Sequence, residues 1–259
     1  MKSVAGSTYD FKVEVIVVDQ NDDEVLKNEI DKLNLTFITL GYYNIPRTSL
    51  SKARQFGMEK TTESIIAFPD DDCWYEPDTL KQVHANFNGD PQMGIVLANW
   101  VEHNYNYSKT KRAITLSEIR QFRTVPLSSI CLFVNRSLIN QIKGFDERLG
   151  LGTNFSGGED FDIVIRSSRY GKIVFDPTAL VHHAFDKKKS NNFKLAYNRA
   201  KGTGALYIKH KMPLPVILRG LLSPVYNSIR RFTIFPLYTL AGRVTGMIQW
   251  KLKYPNSGN

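Results

Sequence analysis

Only two of the 259 residues are cysteine, Cys73 and Cys131. That excludes a disulfide framework and a cysteine-rich zinc site, and a reducing compartment is the expected setting. The N-terminus lacks the basic, then apolar, then small-residue order of a secretory leader. Long hydrophobic runs are missing too. In the C-terminal stretch the longest uncharged run, Phe232 to Gly242, has eleven residues and contains Pro236, too short to span a bilayer. The chain has no internal repeat, no low-complexity tract, and no glycine-rich phosphate-binding segment with a Lys near its start.

Acid is missing from one end of the chain. From Lys187 to Asn259 there are fourteen Lys or Arg and no Asp or Glu. The formal charge of +9 therefore hides an acidic body, with a balance of about −5 over the first 186 residues. An acidic body with a basic tail is not the pattern of a uniformly basic nucleic-acid binder, so no nucleic-acid partner is expected.

The body alternates strand and helix patterns. Val13–Asp19 is β-branched and mostly apolar, as in a strand buried on both faces of a parallel sheet. Asp22 and Asp23 offer an N-cap for a helix to about Leu33. Thr36–Leu40 reads as a second strand, Ser51 to about Lys60 as a helix, and Ser64–Phe68 as a third strand. Met93–Trp100 and Ile130–Val134 are further strands. His103–Arg123 is polar and aromatic, and reads either as a substrate-facing loop or as an insertion. The alternation predicts an α/β fold with a mostly parallel, doubly wound sheet flanked by helices. Ligands of such sheets lie beyond the carboxyl ends of the strands.

Two such ends carry acid: Asp19, and the "FPDDDCWYEP" stretch with Asp70, Asp71 and Asp72. Three adjacent carboxylates repel unless solvent or a cation intervenes. The stretch is either a metal site or a solvated turn capping a helix that starts near Asp78. "GGED" then opens an amphipathic helix with Glu159 and Asp160 in its first turn. Acids there compensate the helix dipole, or supply a general base at a flexible glycine rim. The tandem His182 and His183 follow an apolar strand, where alternation sends them to opposite faces and lets one meet the crevice.

Taken in order, the motifs resemble family 2 glycosyltransferases, the inverting enzymes of GT-A (Rossmann-like) fold. The resemblance rests on "VEVIVVDQND", "LSKARQFGM", "FPDDDCWYEPDTL", "GFDERLGLGTNFSGGEDFDIVIR" and "FDPTALVHHAF" over roughly residues 10–210. Gln55 stands where the family's motif usually has Asn. The resemblance implies that Asp19 contacts base or ribose, that Arg54 and Asp71 lie near the nucleotide sugar, and that Asp70 holds the ribose or a metal-bound water. It implies Asp72 and His183 as ligands of Mn²⁺ or Mg²⁺, Asp160 as catalytic base, and Glu159 as its support or an acceptor-orienting group. The implied partners are a nucleotide-sugar donor and a glycan or lipid-linked acceptor, in bacterial polysaccharide assembly. The alternatives are a sugar nucleotidyltransferase, or a truncated and inactive glycosyltransferase-like protein.

Two features fall outside the motifs. Residues 212–259 form a basic, aromatic-rich tail beyond a 1–211 transferase domain, which suits an anionic membrane surface. The expected location is cytoplasmic, peripheral on the inner face of the cell membrane. Family members also begin with a further strand, which this sequence lacks ahead of Val13. Met1 is then expected to be an internal start, or the chain a shortened copy, with a gap between the strands at Val13–Val18 and Ser64–Phe68.

Overall fold

In the computed structural model, residues 2–5, 9–33, 35, 38–103, 107–122, 125, 127–183 and 192–255 are described. Their order begins with α1 (Lys2–Ala5), β1 (Val13–Asp19), α2 (Val25–Asp31), β2 (Ile38–Asn44), α3 (Leu50–Glu59) and β3 (Ile65–Ala67). It continues with β4 (Cys73–Tyr75), α4 (Thr79–Gly89), β5 (Met93–Trp100), β6 (Arg112–Ala113) and α5 (Leu116–Arg120). Then come β7 (Leu132–Asn135), α6 (Arg136–Ile142), α7 (Glu159–Ser167), β8 (Lys172–His183), α8 (Phe193–Lys209), α9 (Leu214–Arg231) and α10 (Phe235–Lys253).

The helix-flanked α/β architecture stands, but the sheet is mixed rather than mostly parallel. The main sheet runs β3-β7-β5-β8-β4, with β6 on β8. There only β5 and β8 are parallel; β7 runs antiparallel to both its neighbours, and β4 and β6 antiparallel to β8. None of these antiparallel pairs is a hairpin, since helices and strands intervene in the chain between the partners of each, so no tight turn in the sequence records their direction. Alternation along β5 and β7 sends Ile95, Leu97, Leu132 and Val134 into one core, under α6, α7 and Tyr207. Val96, Ala98 and Phe133 face the other, with Val83 of α4.

β1 pairs in parallel with β2 in a separate two-stranded sheet. No strand lies between β1 and β3 among the described residues, so each keeps an unpaired edge there. This also corrects the burial expected for β1. Val13–Val18 are half-buried, and only Asp19 is fully covered, because one side of the strand has no neighbour. Thr36 and Phe37 of the second strand lie outside the described residues, as do 104–106 and 123 of the polar segment. The rest of that segment folds into β6 and α5, the latter opened by a capping box between Thr115 and Glu118. The cap of α2 falls on Glu24 rather than on Asp22 or Asp23, although Asp23 Oδ1 still accepts from the Val25 N–H at 3.1 Å.

The last helices pack onto the rest. Met212 joins the main core, and Trp250 of α10 is fully buried with Leu149, Phe155 and Leu206. α8 and α10 meet backbone to backbone: a Cβ on Gly204 would collide with the Arg243 carbonyl, and one on Gly246 with that of Lys201. No described helix is long and apolar enough to cross a membrane.

Candidate active site

β8 sets the site through an irregularity. Ala98 pairs with Asp176 but Asn99 with Leu180, so β8 bulges over Pro177, Thr178 and Ala179. A bulge is where a strand tolerates proline. Asp176 closes it by accepting from the Thr178 N–H and hydroxyl. Beyond the bulge β8 takes β4 as its antiparallel partner, with Cys73 opposite His183 and Trp74 opposite His182.

This register brings the aspartate loop to the histidines. One side-chain ligand atom each of Asp70, Asp72 and His183 lies within 4.8 Å of the others. His183 Nε2 is 3.1 Å from Asp72 Oδ1, and its Nδ1 is buried without a hydrogen-bond partner among the described residues. Asp71 is exposed and outside the cluster. His182 points the other way, as alternation requires. Glu102 and Glu76 hold its two ring nitrogens at 2.6 and 2.9 Å, and Trp74 stacks on it. Two carboxylates and an imidazole form a donor set that fits a divalent ion of mixed O/N preference.

Arg54 of α3 joins this cluster to a second one. Its Nη2 donates to Asp70 Oδ1 at 2.9 Å and to Ser129 Oγ at 2.7 Å. Its Nη1 lies 3.6 Å from both Glu159 Oε1 and Asp160 Oδ1. Two carboxylates in one low-dielectric corner suppress each other's ionisation. Burial is the larger cause for Glu159, and with the Asp160 charge it pushes the group up to about 7. Burial also raises Asp160, against the opposing effects of Arg54 and Ser129.

The glycines before this pair are tightly packed rather than a flexible rim. Gly158 has φ +90° at the start of α7, where a side chain would be strained. The Gly157 carbonyl lies against Gly202 of α8, so closely that a Cβ on Gly202 would overlap it. The carboxylates are therefore mounted on a fixed turn.

Asp19 is buried at the end of β1. Its carboxylate accepts from the Tyr42 hydroxyl at 2.6 Å and from the Asn21 side chain and backbone at 2.7 and 2.9 Å. Burial alone would raise it, but these bonds outweigh burial and hold it below its ordinary range. It lines the near wall of a cavity of about 530 Å³ bounded by Gln20, Asn21, Arg47, Thr48 and Gly152 only through its neighbours Gln20 and Asn21.

Several contributors carry no sequence signal of their own. Ser129, which seats Arg54, is one buried serine in a turn, and only the fold brings it to a helix 75 residues earlier. Glu76 and Glu102 are two ordinary acids until β8 places His182 between them. Asp162, one turn into α7, is fully buried and held well below the ordinary carboxylate range. Burial opposes this, and His210, Lys209 and Arg166 outweigh it.

The sequence pattern of glycosyl transferase family 2 matches residues 1–144, more than half of the chain. The chain belongs to glycosyl transferase family 2. The family match covers Asp19, Arg54 and Asp70–Asp72 but ends before Glu159, Asp160 and His183. Solved structures extend the likeness in fold. The TarS fragment 1–349 from S. aureus, solved with UDP-GlcNAc, shares 14% identity over 98% of this chain and 86% of its own, at a TM-score of 0.57. Mannosyltransferase PcManGT from Pyrobaculum calidifontis, solved with GDP-Man and Mn²⁺, shares 15% identity over 91% of this chain and 78% of its own, at a TM-score of 0.60. No curated protein sequence matches.

Proposed function

We propose that the chain transfers a sugar from a nucleotide-sugar donor to a hydroxyl of a glycan or lipid-linked acceptor, with inversion at the anomeric carbon and dependence on a divalent cation. One observation carries this reading. Arg54 bridges an Asp70–Asp72–His183 cluster suited to a cation and a Glu159–Asp160 pair with raised affinity for protons. A bound Mn²⁺ or Mg²⁺ would neutralise the donor's phosphates and the charge developing on the departing nucleoside diphosphate.

In this reading Asp72 and His183 would hold the cation, Asp70 would hold the ribose or support the cation through water, and Asp71 would reach the donor from the exposed side of the loop. Asp19 contacts base or ribose. Asp160 takes the proton of the acceptor hydroxyl as its oxygen attacks the anomeric carbon, and Glu159 supports it or orients the acceptor. One displacement inverts the centre and needs one base. Arg54 keeps the pair from repelling itself apart until the donor's phosphates offer the guanidinium a further anionic partner.

Residues 1–211 are assigned to transfer and 212–259 to attachment at the cytoplasmic face of a cell membrane, a division of roles between packed parts. Surface polysaccharide assembly is the setting that fits a lipid-linked acceptor. The test is a panel of UDP-, GDP- and dTDP-sugars with Mn²⁺, read by thermal shift and by released nucleoside diphosphate. Stabilisation by one donor class with diphosphate release supports the reading. Pyrophosphate release from a nucleoside triphosphate and a sugar phosphate would replace it with nucleotidyl transfer.

A further inference from the structure

α9 buries Val216 and Pro224 on one side, and Gly220 of that side lies beneath the Tyr207 hydroxyl. Its opposite side is also apolar. Leu214, Leu218, Leu222, Tyr226 and Ile229 recur every three or four residues and are 48–70% exposed. The turn that follows holds Phe232 in a left-handed conformation and leaves it 96% exposed. α10 returns with its own exposed stripe, Leu237, Val244, Ile248 and Leu252. A helix in water normally turns its apolar stripe toward a core. Continuous apolar stripes open to solvent on two neighbouring helices mark an interaction surface.

We infer that the outer face of the α9–α10 helical hairpin is a monotopic docking surface for an anionic lipid bilayer. This deepens the membrane assignment given above and does not depend on the transfer chemistry. The charge pattern selects the occupant. Arg230 and Arg231 close α9 beside Phe232, and Lys251 and Lys253 flank Leu252 at the end of α10. All four are exposed, and none pairs with a carboxylate among the described residues. Residues 192–255 contain no acid that could meet them. A second copy docked on the same face would set cation against cation. A bilayer with anionic headgroups supplies both a hydrocarbon boundary for the stripes and counter-charge for the ends. α9, of 18 residues, is roughly 27 Å long and lies in the plane of the interface rather than crossing it.

The hairpin is tied to the catalytic turn through backbone contacts. α10 seats on Gly204 of α8, and Gly202 of α8 seats on the Gly157 carbonyl, two residues before Glu159. Arg243 adds a hydrogen bond to the Gly220 carbonyl that fixes the two hairpin helices to each other. A membrane gripping the hairpin thereby sets the orientation of Glu159 and Asp160 toward an acceptor in that membrane.

The full chain is tested by co-sedimentation with vesicles of phosphatidylcholine alone and of phosphatidylcholine with phosphatidylglycerol. It is expected to bind the phosphatidylglycerol vesicles, and less well at high salt. Leu222→Glu with Ile229→Glu abolishes that binding, while melting temperature and Mn²⁺-dependent binding of nucleoside diphosphate, read without vesicles, stay unchanged. Arg230→Gln with Arg231→Gln weakens binding by roughly tenfold. No binding to phosphatidylglycerol vesicles, or binding that Leu222→Glu with Ile229→Glu leaves intact, overturns the inference. So does a concentration-dependent dimer that the same pair dissolves, which would give the face to a second copy. Because nucleotide binding is read separately, loss of either reading leaves the other standing.

Discussion

The Nη1 of Arg54 and the Oδ1 of Asp160 face each other at 3.6 Å, and neither buried atom has a hydrogen-bond partner among the described residues. A guanidinium and a carboxylate held this close without a bond form a contact left incomplete. The arrangement suits a group that has to accept a proton, since a carboxylate locked into a full bidentate pair would be too weak a base.

The pH dependence follows from this corner. Burial and the Asp160 charge place Glu159 at about 7, against an ordinary 4.5. Asp160, the assigned base, works ionised, is itself raised by burial and shares its corner with Glu159, so transfer at saturating donor should rise with pH as the pair loses its protons and level off once both are ionised. Stability runs the other way. Glu159 holds more of its proton in the folded than in the unfolded chain between about 4.5 and 7, so without metal its contribution lowers the melting temperature as pH rises across that window. Glu159→Gln should flatten this slope in thermal melts.

Asp160→Asn keeps the shape of the side chain and removes its capacity to take a proton. Donor binding should survive, and transfer should drop on the order of 10² or more. Rates within a few-fold of the parent chain would shift the base to Glu159.

The two histidines should separate cleanly. Asp72→Ala abolishes Mn²⁺-dependent binding of nucleoside diphosphate, measured calorimetrically, while relief of repulsion in the aspartate run offsets loss of the His183 contact, so the metal-free melting temperature changes little. His183→Ala weakens the same binding. His182→Ala leaves it nearly unchanged, because His182 is engaged by Glu76, Glu102 and Trp74 on the other face. The reverse order would move the ligand role to His182.

Gly204→Ala should destabilise the fold by about 1–3 kcal/mol, since the added methyl meets the Arg243 backbone rather than a yielding side chain. Chemical denaturation measures it directly. Cutting the chain after Lys211 would bare the same glycine-lined surface and the seat of Trp250. Such a truncation tests the packing of α8, not membrane binding.

What the sequence disclosed depended on range. Met93–Trp100 and Val13–Asp19 were legible to the residue because each is a run of β-branched and apolar residues, although the burial expected for the second was too high. The meeting of Asp70 and Asp72 with His183 was implied by the family resemblance, whereas the residues alone left a solvated turn open and did not choose between the two histidines. Strand direction was not, since nothing in Leu132–Asn135 records that it runs against both neighbours. Nor could Ser129 be found, as a hydroxyl serving a guanidinium 75 positions away leaves no period or spacing. The packing of α10 on α8 was hidden for a similar reason: Gly204, Gly242 and Gly246 make room by having no side chain.

The unpaired edges of β1 and β3 bear on how the protein behaves in concentrated solution. A β-branched strand with open N–H and C=O groups is a template for another chain's backbone. Charge guards only one end of this opening, where Lys12 pairs with Glu63 at 2.7 Å and Thr61 bonds to Glu14. Ile16 and Val18 further along have no such guard. Slow aggregation that gains β-sheet signal, and that Leu222→Glu with Ile229→Glu leaves untouched, would arise here.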